Sequence, residues 1–135
     1  MDLGLTGRVA IVAAASKGLG CAVAEELARE GPHIAICART LSTLEETAAQ
    51  IQKATGRDGF YRTLDVADSK AVTDFVAAVQ TRFGRLDICV TNSGGPPSNL
   101  FKNIPPEARR AALDQLLMST IYFARETLPR MQRNR

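Results

Sequence analysis

The stretch Ala13 to Gly20, AAASKGLG, stands between the apolar run Val9-Ala10-Ile11-Val12 and the helically periodic CAVAEELARE. Two glycines one residue apart, Gly18 and Gly20, with Lys17 before them, suit one kind of chemistry at a strand-to-helix turn. Free backbone N–H groups and the positive end of a helix dipole attract a phosphate there. Glycine lets the phosphate and the facing strand approach the backbone where a Cβ would collide. A helix start that needs glycine only for packing is the other account of the pair. The common GxGxxG pattern is not completed, because Gly18-Leu19-Gly20-Cys21-Ala22-Val23 ends in valine.

Other reactive side chains are few. His33 is the sole histidine, so a metal centre or a Ser-His pair built on histidine lacks support, and it reads as a polar residue opening a strand. The cysteines, Cys21, Cys37 and Cys89, are odd in number and lie in apolar segments without CxxC spacing. They read as reduced, buried thiols rather than as disulfides or zinc ligands. The only tyrosines, Tyr61 and Tyr122, are followed four residues later by Asp65 and Glu126.

The elements that must position these residues alternate. RVAIVAA (8–14), HIAICA (33–38), GFYRTLDV (59–66) and LDICVTN (86–92) read as strands that are largely apolar rather than alternating. Between them run amphipathic segments: one from Lys17 to Glu30, one capped by Thr40 or by Ser42 with Glu45 three residues on and stopped by Gly56, and one from Asp68 to Gly84. SGGPPSN after the fourth strand is loop. Pro106 to about Met131 follows as one long helix with an apolar stripe on Leu113, Leu117, Thr120, Ile121, Ala124 and Leu128, packed on its own sheet or on a second copy. This alternation predicts an α/β fold: a Rossmann-type, doubly wound parallel sheet of about four strands, order 3-2-1-4, with helices on both faces.

With GRVAIVAAASKGLG, CART, LDVAD and DICVTNSGG in this order, the chain resembles the short-chain dehydrogenase/reductase family along essentially its whole length. The family pattern TGxxxGxG falls on Ala13 to Gly20, with alanine in place of its first threonine and glycine. Ala14 then takes a turn position usually left to glycine, at a cost on the order of 1 kcal/mol if its φ is positive. The resemblance implies that Ala14, Ser16, Lys17, Gly18, Leu19 and Gly20 cradle a dinucleotide. It implies that Asp65 and Val66 lie along the adenine, although Asp65 is also a plain strand-end turn residue. Thr91-Asn92-Ser93-Gly94 stands for the family's NNAG: Asn92 steadies the central strands, Ser93 replaces an alanine, and Gly94 lets the nicotinamide-side ribose approach. GGPP resembles members usually named 3-oxoacyl-[acyl-carrier-protein] reductase-like.

A bare ribose is normally gripped by an acidic residue at the end of the second strand, about 20 residues beyond the glycines. Arg39 stands there instead. A guanidinium pairs with a 2′-phosphate, and Lys17 can reach the same group, so NADP is expected rather than NAD. Two such contacts, each contributing roughly 1.5 to 3 kcal/mol, would favour NADP by about a hundredfold or more. Solvated surface cations are the alternative for each residue taken alone.

For the reaction, the family uses a tyrosine with a lysine four residues later and a serine about a dozen residues earlier. None of these is present, and the resemblance covers about the first half of a family member. The family's further asparagine, in the long helix, falls on Leu116, or on Gln115 if the alignment slips by one. Residues 1–135 are therefore expected to form a single NAD(P)-binding domain without the catalytic half. By family the protein acts on a small-molecule alcohol or carbonyl substrate, one side of whose pocket is Gly95 to Lys102, and is inactive as this chain alone. A non-catalytic NADP-binding or dimerising module is the second reading, with the 106–131 helix as the homo-oligomer contact.

The bulk properties agree with one globular unit: 135 residues, 45% hydrophobic, net charge +3. The basic RMQRNR reads as a solvated helix end, so nucleic acid is not an expected partner. Without a membrane-length apolar run or a signal-like N-terminus, neither a membrane nor secretion is expected, and the cytoplasm is.

Overall fold

The computed structural model describes residues 1–134, so the last residue of the basic RMQRNR run lies outside it. Four parallel strands, β1 (Val9–Ala13), β2 (His33–Ala38), β3 (Phe60–Thr63) and β4 (Ile88–Val90), form one sheet in the order β3-β2-β1-β4. Strand β1 pairs with β2 from Val9 opposite His33 to Ala13 opposite Cys37, and with β4 from Ala10 opposite Ile88 to Val12 opposite Val90. Helices α1 (Gly18–Arg29) and α2 (Leu41–Thr55) cover one face, burying Ala24, Leu44 and Ile51 against Ala10, Val12, Ile34 and Ile36. The other face packs Val9, Ile11 and Cys37 under α3 (Ser69–Phe83) and Phe123 of a later helix, with Phe75 fully buried between them. Both faces of β1 and β2 are thus dry, which is why these strands are apolar throughout.

Helix ends follow local chemistry. The Asp68 carboxylate accepts from Ala71 N at 3.1 Å and starts α3, while Gly56 and Gly84 end α2 and α3 in the left-handed conformation. Thr40 is the N-cap of α2 through its backbone alone, so the Ser42–Glu45 capping box is not formed, and Ser42 lies inside the helix. Strand β3 stops at Thr63, three residues before the apolar run ends, because Asp65 begins a turn there. Of the three thiols only Cys37 is buried; its burial pushes it up to about 12, and Cys21 is half-exposed beside Glu25 and Thr47.

The long helix is not uniform. Helix α4 (Pro106–Leu113) runs into a π-helical turn at Asp114–Met118 and then α5 (Ser119–Gln132), with Ser119 N reaching back to Asp114 O. The side chains facing the sheet are Ser119, Phe123 and Thr127, whereas Leu113, Leu117, Ile121 and Leu128 are 45–56% exposed. The expected apolar stripe therefore points away from its own sheet. The buried hydroxyls satisfy themselves on the preceding turn, Ser119 donating to Gln115 O at 2.6 Å and Thr127 to Phe123 O at 2.7 Å.

Just before β4, Asp87 joins that strand to β1. Its carboxylate, 4% exposed, accepts from Val9 N at 2.9 Å, from Arg85 at 2.6 and 2.8 Å and from Arg8 at 3.4 Å. Burial would raise its pKa, but the Arg85 and Val9 hydrogen bonds outweigh it and hold the carboxyl below its ordinary value. The stabilisation is therefore complete above the ordinary carboxylate pKa and is lost as pH falls through the folded one. Urea midpoints measured from pH 6 to pH 3 should fall more steeply for wild type than for Asp87→Asn, which costs about 1–3 kcal/mol at neutral pH. Parallel curves would show that Asp87 contributes no such linkage.

Candidate functional site

The C-terminal ends of the strands open into a cavity of about 360 Å³. The turn after β1 contributes Ala14, Ser16, Lys17, Gly18 and Leu19 to its wall. Arg39 and Thr40 come from the end of β2, Asp65 and Val66 from the turn after β3, and Asn92, Ser93 and Gly94 from the segment after β4. Parallel strands carry their following turns to the same edge of the sheet, and that is what gathers residues so far apart in sequence.

Gly20 does not line the cavity; it is buried beneath the turn. A Cβ there would strike Ala14 O and lie 2.7 Å from Asn92 Nδ2 and 3.0 Å from the Ala14 carbonyl carbon, so this glycine serves close approach. Asn92 Nδ2 donates to Ala14 O at 3.2 Å, joining the ends of β1 and β4 as the resemblance implies. Ala14 has φ 49, the one non-glycine residue at positive φ among the described residues. The condition set by its sequence position is met, and the strain costs on the order of 1 kcal/mol.

Lys17 and Arg39 are exposed on the cavity wall, and neither has an acidic partner among the described residues. Thr40, beside Arg39, keeps its hydroxyl free of any capping bond to α2. Asp65 lines the cavity but also accepts from Ala67 N at 2.9 Å, so it is a strand-end turn residue in addition. Leu19 is 81% exposed at the mouth, an apolar surface with no partner in its own fold.

The two candidates in the long helix, Leu116 and Gln115, both lie in the π turn. Gln115 lines the cavity and its Nε2 donates to Gly94 O at 2.8 Å, while Leu116 is 43% exposed. The π turn widens the helix at this point, and of the two residues it is Gln115 that the structure brings to the cavity. Neither tyrosine is at the site: Tyr61 lies on β3 and Tyr122 packs against the core on the α3 side. Ala38, Thr40 and Leu64 also line the cavity, although sequence reasoning does not assign them to it. The signal for Thr40 is its place beside Arg39; Ala38 and Leu64 carry none.

Among the described residues no group of three His, Cys, Asp or Glu side chains could hold a metal ion, and no helix is long and apolar enough to cross a membrane. The loop Gly95 to Lys102 stands apart, with Phe101 77% exposed and the Arg109 guanidinium 4.1 Å above its ring.

Comparison with known proteins places these features. The family model for short chain dehydrogenase matches residues 8–135. An uncharacterized oxidoreductase of Staphylococcus saprophyticus is 32% identical over 127 residues, 94% of this chain and 54% of that protein. L-sorbose reductase of Gluconobacter frateurii, solved with NADPH and L-sorbose, superposes with a TM-score of 0.94 at 32% identity, over 99% of this chain and 51% of that one. The alcohol dehydrogenase of Thermococcus sibiricus, solved with 5-hydroxy-NADP, gives 0.88 at 30% identity over 93% and 54%. The chain spans about half the length of the relatives it matches.

Proposed function

The chain belongs to the short chain dehydrogenase family, and from that premise we propose that it is the cofactor-binding half of an NADP(H)-dependent oxidoreductase acting on an alcohol or carbonyl substrate. What carries the NADP reading is the pair Lys17 and Arg39, two cations that line the cavity without acidic partners among the described residues, where a 2′-hydroxyl reader would be acidic. The cavity suits a dinucleotide: a glycine turn at a helix start for phosphate, Asp65 and Val66 from the turn after β3 for the adenosine end, and Ser93 and Gly94 for the other. Bound there, the nucleotide would give a hydride to a carbonyl or take one from an alcohol. The chain's own residues bind and orient: Lys17 and Arg39 neutralise phosphate charge, Asn92 fixes the turn, and Gln115 holds the Gly94 carbonyl.

Within these 135 residues no tyrosine has a lysine four places on, so purified chain is expected to bind nucleotide without reducing carbonyls. Cofactor-dependent turnover by that chain would overturn this. Calorimetric titration with NADPH and with NADH tests the cofactor reading. Tighter binding of NADPH supports it; equal binding, or tighter binding of NADH, defeats it.

The exposed Leu113, Leu117, Ile121 and Leu128 favour a second reading, a module that associates through this helix. We propose a homo-oligomer contact there in either case. Leu117→Glu is then expected to shift sedimentation from dimer to monomer with nucleotide affinity within about twofold of wild type. An unchanged sedimentation coefficient would remove the contact.

A further inference from the structure

We propose that a groove between the loop after β4 and helix α4 is a second ligand site, one that takes a small carboxylate with an apolar body. The groove encloses about 180 Å³ and shares no lining residue with the nucleotide cavity. Pro96 and Pro97 line it from the loop; Ile104, Pro105 and two alanines one helical turn apart, Ala108 and Ala112, line it from the start of α4. Its surface is therefore almost wholly apolar. The three prolines fix their own backbone, so the groove is set before any ligand arrives. The fold does not use this surface, for none of these residues belongs to either core cluster.

Arg109 is the one charged side chain that lines the groove. Its guanidinium lies 4.1 Å from the centre of the Phe101 ring, and its Nη2 donates to Phe101 O at 2.9 Å. These contacts hold the cation in place and leave most of its N–H donors free. Arg109 has no acidic partner among the described residues. A fixed, planar, uncompensated guanidinium in an apolar groove matches a carboxylate in shape and charge, with the rest of the ligand lying on prolines and alanines. Sites for drug-sized ligands enclose roughly 300–1,000 Å³, so the space here suits a short aliphatic acid and not a nucleotide. The proposal does not depend on what fills the cavity.

The test titrates the isotopically labelled full chain with hexanoate, with 1-hexanol and with acetate, read by amide NMR shifts. Hexanoate should saturate with its shifts gathered on Ala108, Arg109 and Ala112. It should bind about tenfold tighter than either analogue, since neither supplies both carboxylate and chain. Arg109→Gln should weaken hexanoate about tenfold and leave 1-hexanol within about twofold of wild type. Ala112→Leu fills the groove and should weaken both, with unchanged shifts in the sheet reporting an intact fold. Hexanoate binding no tighter than 1-hexanol, or equally tight to Arg109→Gln and wild type, would overturn the proposal. Displacement of hexanoate by NADPH would overturn it too, because the acid would then sit on Lys17 and Arg39.

Discussion

Gly20→Ala is expected to lower NADPH affinity at least a hundredfold. The added Cβ would meet the backbone Ala14 O and come within 2.7 Å of the Asn92 Nδ2 that donates to it. The turn must move, and with it the carbonyl that Asn92 holds and the backbone N–H groups at the start of α1. Overpacking of this kind costs about 1–3 kcal/mol, so the variant should still fold while its site is displaced. Gly18→Ala is the comparison: nothing lies within 4 Å of its Cβ, and only its φ of 58 resists. It should lose on the order of 1 kcal/mol of stability and far less affinity. Calorimetry and urea unfolding on both variants decide the matter. Equal losses of affinity would mean that close approach at Gly20 is not what shapes the site.

Arg39→Asp should reverse the nucleotide preference. The arginine is exposed at the end of β2 beside Thr40, and a carboxylate there repels a 2′-phosphate and can accept from a 2′-hydroxyl. Loss of one charge-assisted contact, about 1.5 to 3 kcal/mol, together with the new repulsion, gives a change of about a hundredfold in the NADPH to NADH affinity ratio. NADPH affinity should fall and NADH affinity hold or rise. With Lys17 intact, some attraction for phosphate persists, and Lys17→Ala in the same background should remove it. Relative affinities unchanged by Arg39→Asp would withdraw the basis for NADP.

The sheet was readable because β1 and β2 are buried on both faces, which leaves continuous apolar runs that no surface strand would carry. The strand order followed from right-handed crossovers and family resemblance together. The long helix was not readable in the same way. Its largest apolar side chains, Leu113, Leu117, Ile121 and Leu128, point outward, and the face toward the sheet carries Ser119 and Thr127. Periodicity weighs side chains by polarity and cannot see that a hydroxyl bonded to the preceding turn is cheap to bury. The π turn was hidden for a related reason: one helical bond reaching from Ser119 to Asp114 moves Gln115 into the cavity and leaves Leu116 outside. At the site, Lys17, Gly20 and Arg39 stood out by type and spacing, and Asn92 through the family resemblance. Ala38 and Leu64 were not, because they only supply wall.

The hydrogen bond from Asn92 to Ala14 spans 78 positions of chain. Closing so long a loop is entropically slow, and the contact forms only once β4 has docked beside β1. In refolding, the first half of the sheet can assemble from neighbouring segments while the phosphate turn is still loose. Recovery of nucleotide binding should therefore lag the recovery of helical signal, and the ligand acts as a reporter of the last strand's arrival.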